Sequence, residues 1–228
     1  MKAMELQKNL ENLHGYWHAL GAEKIGGVFT HGSWPNKQWQ ADFAFAPQLN
    51  NQVIEQDKVF ATVADTSKVL SEKFNQLKSQ LVIMSLNLND VQLPSKTMAS
   101  ANIEVLTGNT KSWTQACSEA FAYDIDDAVI QQLTSNPNAS IIAYYLEGEI
   151  AGTAIAFQTG DTLGIHQLGT APNYRKRGVA DALMQFLLQQ AKDKQCSWLT
   201  LQASQAGLHL YKRLGFKELG LLSSIVAR

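Results

Sequence analysis

The clearest chemical signal in this chain is a basic, glycine-containing turn at residues 174–180, with the sequence YRKRGVA. It lies between an apolar strand-like run and a long amphipathic helix, so its backbone N–H groups are expected at the positive end of a helix dipole. Gly178 lets the backbone approach a ligand without an intervening Cβ. Arg175, Lys176 and Arg177 add positive charge, and arginine suits phosphate oxygens. The turn predicts a pyrophosphate cradle; taken alone, it is also compatible with a solvated turn.

The elements that must hold this turn are predicted by hydrophobic periodicity. A strand over Leu163–Thr170 precedes the turn, and a helix over Val179–Asp193 follows it, with one apolar and one polar face. Trp198–Ala203 is predicted as a further strand. Leu208–Leu214 is predicted as a short helix that ends at Gly215, a typical residue just beyond a helix C-terminus.

Upstream of the turn, the pattern predicts helices and strands joined by short turns, including a hairpin turn at residues 147–149. The predicted ranges are Ile103–Leu106 (strand), Lys111–Phe121 (helix, with Thr110 as N-cap), Asp126–Thr134 (helix), Ser140–Leu146 (strand), Ala151–Gln158 (strand) and, at the end of the chain, Leu221–Val226 (strand). The order β-α-α-β-β-β-α-β-α-β indicates a mixed α/β sheet with helices on both faces.

The beginning of the chain is less regular, and a polar, proline-containing segment at residues 87–102 separates it from the rest. We therefore predict two domains, residues 1–95 and 100–228. The expected N-terminal elements are helices at 5–20 and 67–78 and strands at 28–29, 41–46, 59–63 and 81–86. Their order weakly echoes the second domain, which leaves open a diverged internal repeat.

Composition narrows the range of partners. The 228 residues are 45% hydrophobic and 17% charged, with a net charge of −1, so no broad basic surface is expected and nucleic acid and anionic membranes are poor partners. The absence of a signal-peptide pattern and of a run of about 20 apolar residues predicts a cytoplasmic protein. Cys117 and Cys196 are too few for a disulfide framework or a metal cluster, so reduced, buried thiols and no metal are expected.

Three segments, in this order, resemble the GNAT superfamily of N-acetyltransferases. Ile165–Pro172 (IHQLGTAP) is similar to the family's bulged central strand, Arg175-x-x-Gly178-x-Ala180 to its Q/R-x-x-G-x-G/A signature, and Leu210–Phe216 (LYKRLGF) to its LYxxLGF ending. The resemblance covers residues 103–228. It implies a mixed α/β (α+β) fold with a GNAT-like central mixed β-sheet flanked by helices, beside an additional N-terminal α/β region. It also implies acetyl transfer from acetyl-CoA to a small-molecule or peptide amine.

The resemblance implies coenzyme A contacts along this strand and turn. The backbone of Leu168, Gly169 and Thr170 would pair with the pantetheine arm as an added strand, and Gly169 suits a bulge there. The backbone amides of the turn would take the pyrophosphate: Arg175, Lys176, Arg177, Gly178, Val179 and Ala180. Ser204 stands where the family has a cofactor-binding Asn, or else it serves as a strand-end or N-cap residue.

Two catalytic residues are implied by the same resemblance. Tyr211 is expected beside the coenzyme A sulfur, as a cofactor contact and as the general acid for the departing thiolate. Periodicity alone would favour a core aromatic at this position. His166 stands where many family members carry a Glu base, and its imidazole, with an ordinary pKa of about 6.5, suits that role. The alternatives are a core or substrate-shaping histidine, with water as the base.

Three classes of function follow from these residues. Direct acetyl transfer in a ternary complex leads, because neither cysteine is placed as a nucleophile. A non-catalytic acyl-CoA binding or sensing module is the second class, since the strand Glu is missing. A longer-chain acyltransferase of the same fold is the third. The oligomeric state is left open, with a homodimer as one alternative.

The N-terminal part carries one further candidate feature, a polar-aromatic cluster around Pro35. Its members are His31, Trp34, Asn36 and Trp39. Such a cluster forms either the floor of an acceptor pocket or a packed turn. We also expect the N-terminal part to shape the acceptor site, because it holds three of the five tryptophans.

Overall fold

The computed structural model describes residues 2–44, 54–65, 75–91 and 102–227. The chain forms two compact units. One consists of Met1–Ser85 together with Gln202–Arg228, and the other is the continuous segment Leu86–Leu201. The two ends of the chain therefore build one unit, while the middle of the chain builds the other.

The unit formed by the two chain ends contains a mixed sheet and two helices among its described residues. Its elements are α1 (Lys2–Ala19), β1 (Ala22–Ile25), β2 (Val28–His31), β3 (Lys37–Trp39), β4 (Val59–Thr62), β5 (Asn75–Asn87), α5 (Leu208–Arg213) and β11 (Lys217–Ala227). The strand order is β1-β2-β3-β4-β11-β5. Among the described strand pairs of this unit, only β3 and β4 run parallel, and β11 is antiparallel to both β4 and β5.

An aromatic cluster forms much of the core of this unit. The ring of Trp39 lies 5.0 Å from that of Trp17 and stacks on Phe29 at 5.4 Å, measured between centroids. Trp39 is fully buried, and its indole N–H donates to Nδ1 of His14 at 3.0 Å. Helix α1 is thus fixed on the sheet by side chains spaced at helical intervals, which accounts for its buried apolar face.

The strands of the middle unit are also paired in a mixed pattern. The elements of this unit are β6 (Ile103–Leu106), α2 (Lys111–Phe121), α3 (Asp127–Leu133), β7 (Ala139–Leu146), β8 (Glu149–Thr159), β9 (Thr162–Thr170), α4 (Val179–Asp193) and β10 (Trp198–Ala203). Strands β6, β7, β8 and β9 are consecutive antiparallel neighbours, whereas β10 pairs parallel with β9. Within the described ranges, no helix is long and apolar enough to cross a lipid bilayer.

Close packing of α4 on β8 fixes the start of that helix. Val179 and Leu183 are buried, and a Cβ placed on Gly152 of β8 would lie 2.9 Å from Cδ1 of Leu183 and in contact with Val179. A glycine is therefore required where the helix crosses the strand. This contact holds the N-terminus of α4 next to the end of β9.

The predicted order of elements after residue 102 is confirmed, as is the mixed α/β fold. The ranges Val179–Asp193 and Trp198–Ala203 agree with the prediction at both ends. Thr110 occupies the N-cap position of α2 but makes no capping bond, and its hydroxyl donates to Asp127. Asp126 does cap α3, accepting from the Ala128 N–H at 2.9 Å.

Two N-terminal predictions are wrong where the structure describes them. The apolar stretch 41–46 was expected to be a strand, but residues 41–44 form a turn in which the Phe43 N–H bonds to the Gln40 carbonyl. Residues 75–78 of the expected helix 67–78 belong to β5, because they pair with β11. The remaining residues of both predicted elements lie outside the described ranges. The short strands β1 and β3 were not predicted.

Candidate active site

Strand β9 contains a bulge directly after His166. Opposite it on β8, Ile155 pairs with His166 and Thr153 pairs with Gly169, so Gln167 and Leu168 together face one residue. Gln167 has φ of 48°, in the left-handed region that non-glycine residues rarely occupy. The bulge was expected at Gly169, and the structure places its irregular residue two positions earlier.

On its other edge, β9 separates from β10 before the bulge begins. The parallel ladder between β9 and β10 runs from the pair Thr162–Trp198 to the pair Gly164–Thr200. Strand β9 then continues for six more residues, to Thr170. Residues 167–170 are all partly exposed. Such a strand end is suited to receive an added strand from a ligand.

The basic turn forms an open backbone cradle at the N-terminus of α4. The first intrahelical bond runs from the Ala182 N–H to the Gly178 carbonyl at 3.0 Å, so the amides of Val179 and Ala180 have no acceptor inside the helix. Gly178 has φ of 79°, and nothing lies within 4 Å of a Cβ built on it. A glycine is needed here for its backbone conformation.

The arginine side chains of the turn bind protein groups in this structure. The Arg175 guanidinium donates to the carbonyl oxygens of Ala120 at 3.1 Å and Thr170 at 3.5 Å. It therefore joins the end of α2 to the end of β9. Arg177 forms an ion pair with Glu147 of the β7–β8 turn. The cradle thus depends on backbone amides, with the arginines shaping the surface around them.

His166 is buried, with 7% of its surface exposed, and burial lowers its pKa to about 3. The imidazole is consequently neutral at physiological pH. A neutral imidazole can accept a proton, but a pKa this low makes it a weak base. If protonation of His166 governed activity, the pH–activity profile would change far below the pH of about 6.5 expected from an unperturbed histidine.

Tyr211 belongs to the other unit, in helix α5. Its ring is buried against Gly207 and meets Phe216 edge-on, with 5.7 Å between ring centroids. Burial raises the pKa of the phenol to about 12, so it keeps its proton at neutral pH. The N-cap of α5 is Gly207, so Ser204 does not cap this helix. The Ser204 side chain is exposed, and its contact with the cofactor stays a prediction.

The cluster around Pro35 is mostly core. His31 and Trp39 are almost completely buried, Trp34 is 9% exposed, and Asn36 closes a turn with an N–H bond to the Ser33 carbonyl at 2.9 Å. The described contacts therefore favour the packed-turn interpretation over a pocket floor.

Both cysteines are free and buried, and burial raises the pKa of the Cys117 thiol to about 12. Neither is disposed to act as a nucleophile.

Sequence reasoning missed three side chains that the structure brings to this region. Tyr123 donates its hydroxyl hydrogen to Oε1 of Gln167 at 3.1 Å, and Glu147 pairs with Arg177. The third is Gln167, whose carboxamide cannot act as a base. Only the left-handed backbone at Gln167 singles it out, and no sequence pattern signals that conformation in a residue other than glycine.

Comparison with known proteins agrees with this geometry. Residues 105–216 match the model of the family described as Acetyltransferase (GNAT) family. A GCN5-related N-acetyltransferase from Kribbella flavida superposes with a TM-score of 0.67 at 16% identity, covering 97% of this chain and 94% of that chain. A GNAT-family acetyltransferase from Novosphingobium aromaticivorans gives 0.64 at 15% identity, covering 96% of each chain. Among curated proteins, none matches this sequence.

The strand bulge, the glycine turn and the helix that follows it define an acyltransferase fold of the GNAT type. The chain carries a GNAT-family domain at residues 105–216, as the resemblance implied. The two superpositions establish the same fold over almost the whole chain.

Proposed function

We propose that this protein is a cytoplasmic N-acetyltransferase that transfers an acetyl group from acetyl-CoA directly to an amine in a ternary complex. The observation that carries the proposal is the departure of β9 from β10 after Gly164. The bulge at residues 167–168 and the amide cradle at 175–180 then follow within one short stretch of chain. This succession offers a pairing edge for an amide-containing arm and, directly after it, donors for a pyrophosphate.

The residues present fit coenzyme A. Leu168, Gly169 and Thr170 are partly exposed and would pair with the pantetheine arm. The amides of residues 175–180 would bind the pyrophosphate, since those of Val179 and Ala180 have no acceptor inside the helix. Ser204 is exposed and would donate to the cofactor. Acetyl-CoA supplies an acetyl group activated as a thioester.

Residues of this chain would carry out the proton transfers. The Tyr211 phenol is protonated at neutral pH and would donate to the departing thiolate as general acid. His166 or a water would accept the amine proton, and the low pKa of His166 favours water at physiological pH. Direct transfer is favoured because both thiols are buried and burial raises the pKa of each.

The test combines calorimetry with a thiol-release assay. Purified protein is titrated with acetyl-CoA and then offered a panel of primary amines while free coenzyme A thiol is measured. Gly178→Val should abolish binding, because a β-branched residue disfavours φ of 79° and distorts the cradle. Gly160→Val is the matched control, since Gly160 has φ of 54° and equally open space but lies in the β8–β9 turn.

Loss of binding in Gly178→Val alone, together with amine-dependent thiol release by the wild type, supports the proposal. Binding without thiol release for any amine would instead indicate an acyl-CoA sensing module. Unchanged affinity in a folded Gly178→Val protein would exclude the cradle as the pyrophosphate site.

A further inference from the structure

The backbone of Gln167 is held in its unusual conformation by a buried hydroxyl. Oγ1 of Thr153, which is 1% exposed, donates to the carbonyl oxygen of Gln167 at 3.1 Å. The carbonyl therefore has a partner although the bulge interrupts the ladder.

The carboxamide oxygen of Gln167 is fixed by two donors from the α2 region. The Tyr123 hydroxyl lies 3.1 Å from Oε1, and Sγ of Cys117 lies 4.0 Å from the same atom. Burial raises the pKa of both groups to about 12, so both keep their hydrogens at neutral pH. The carboxamide oxygen faces these two groups, so the amide nitrogen faces away from them.

The amide nitrogen of Gln167 consequently carries two N–H donors with no acceptor among the described residues. The side chain is only partly buried. Two aromatic rings lie beside it with a large exposed area: Phe121 is 36% exposed and Tyr123 is 46% exposed, with 5.7 Å between their centroids. Directed donors next to an exposed apolar surface suit a ligand with an oxygen acceptor and an apolar group.

This surface is rigidly attached to β9. A Cβ on Gly169 would lie 2.8 Å from Cε2 of Phe121 and 2.9 Å from Cβ of Ala120, so the end of α2 packs directly on the strand. Arg175 adds a hydrogen bond to the Ala120 carbonyl at 3.1 Å. Groups held by several contacts of this kind are preorganised for recognition.

Resting on the proposed acetyl transfer, we propose that Gln167 is a specificity-determining residue that donates its amide hydrogens to an oxygen of the acceptor. Tyr123 is the positioning residue that orients the carboxamide. The acceptor class is an amine with a carbonyl oxygen on the adjacent carbon and an apolar side chain, as in an α-amino amide or a peptide N-terminus. The rings of Phe121 and Tyr123 contact the apolar side chain.

Three related amines test this inference: phenylalaninamide, phenethylamine, which lacks the carbonyl, and 3-phenylpropane-1,2-diamine, which replaces the carboxamide with a second ammonium. The wild type should prefer phenylalaninamide to phenethylamine by about tenfold in kcat/KM, which corresponds to the free energy of one hydrogen bond.

The Gln167→Glu side chain is nearly isosteric with glutamine but offers hydrogen-bond acceptors, so this variant should shift the preference towards the diamine. Tyr123→Phe should lower the preference for phenylalaninamide mainly through KM. Tyr144→Phe removes the hydroxyl of a half-buried tyrosine in β7; it is the control and should keep wild-type selectivity.

Thermal melting and acetyl-CoA binding establish that each variant is folded. Selectivity ratios that are the same in Gln167→Glu and wild type would overturn the inference while leaving the proposed function intact. Failure of the wild type to acetylate any amine would overturn both. A purely structural role for Gln167 would lower turnover of all three amines together, without a change in their ratios, and would also overturn it.

Discussion

The guanidinium of Arg177 forms an ion pair with Glu147 and lies 5.4 Å from the ring centroid of Tyr174. Hydrogen bonding and charge from Arg177 hold the pKa of the Glu147 carboxyl below its ordinary value. Both side chains are largely exposed, at 41% and 62%, so the pair adds little to stability. A phosphate bound by the backbone amides of the turn would also attract the Arg177 guanidinium, and Glu147 would compete with it for that group.

Glu147→Gln should therefore tighten acetyl-CoA binding without changing the melting temperature. The expected gain is about two- to fivefold at low salt, the range of an exposed ion pair, and it should shrink as salt rises. Calorimetry at two ionic strengths measures it. Glu149→Gln removes an exposed carboxylate from the same hairpin and serves as the control. Equal affinity of Glu147→Gln and wild type at low salt would exclude the competition.

Gly169→Ala should destabilise the protein and weaken acetyl-CoA binding. The added methyl would lie 2.9 Å from Cβ of Ala120, which cannot move unless α2 shifts away from β9. Overpacking of this kind costs about 1–3 kcal/mol. Urea unfolding gives the stability change, and Gly108→Ala, where nothing lies within 4 Å, is the matched control. A Gly169→Ala protein as stable as the control would contradict the close packing.

Tyr211→Phe should lower kcat by about a hundredfold or more while leaving acetyl-CoA affinity close to wild type. The ring still packs against Gly207 and Phe216, but the proton for the thiolate is lost. Steady-state kinetics with an accepted amine, together with calorimetry, separates the two effects. If turnover stayed within about twofold of wild type, the loss would be well below a general-acid contribution, and Tyr211 would be assigned to the core.

His166 should make folding stability depend on pH. Its native pKa of about 3 lies below the unfolded value, so the unfolded chain binds an extra proton between the two values. Stability contributed by the neutral imidazole is complete above about pH 6.5 and falls as the pH drops towards 3, by roughly 2–3 kcal/mol between pH 7.5 and 4.5. Urea unfolding of His166→Asn should show a smaller pH dependence. His209→Asn, at an exposed position, should keep the wild-type dependence.

The sequence was most informative where one local pattern decides the structure. Helix α4 was predicted to the residue because its apolar face and the glycine before it agree, and β10 because it is a short apolar run between polar ends. The cradle position followed from the same glycine. The short strands β1 and β3 escaped prediction because three or four mixed residues carry no periodic signal.

Other features depend on contacts that are distant in sequence. Residues 75–78 are strand because β11, more than a hundred residues later, pairs with them. The orientation of the Gln167 carboxamide depends on Tyr123, 44 residues earlier. The low pKa of His166 comes from burial, which one sequence does not show. The domain boundary at 95–100 and the roles of the site residues stay predictions.

The position of β11 between β4 and β5 has a consequence for how the protein emerges from the ribosome. Residues Leu86–Leu201 form one continuous unit and can fold while synthesis proceeds. The sheet of the other unit lacks an interior strand until Lys217–Ala227 has been released. Strands β4 and β5 therefore keep unpaired edges until then, which makes the nascent chain a candidate for chaperone binding and makes β11 a poor place for a truncation.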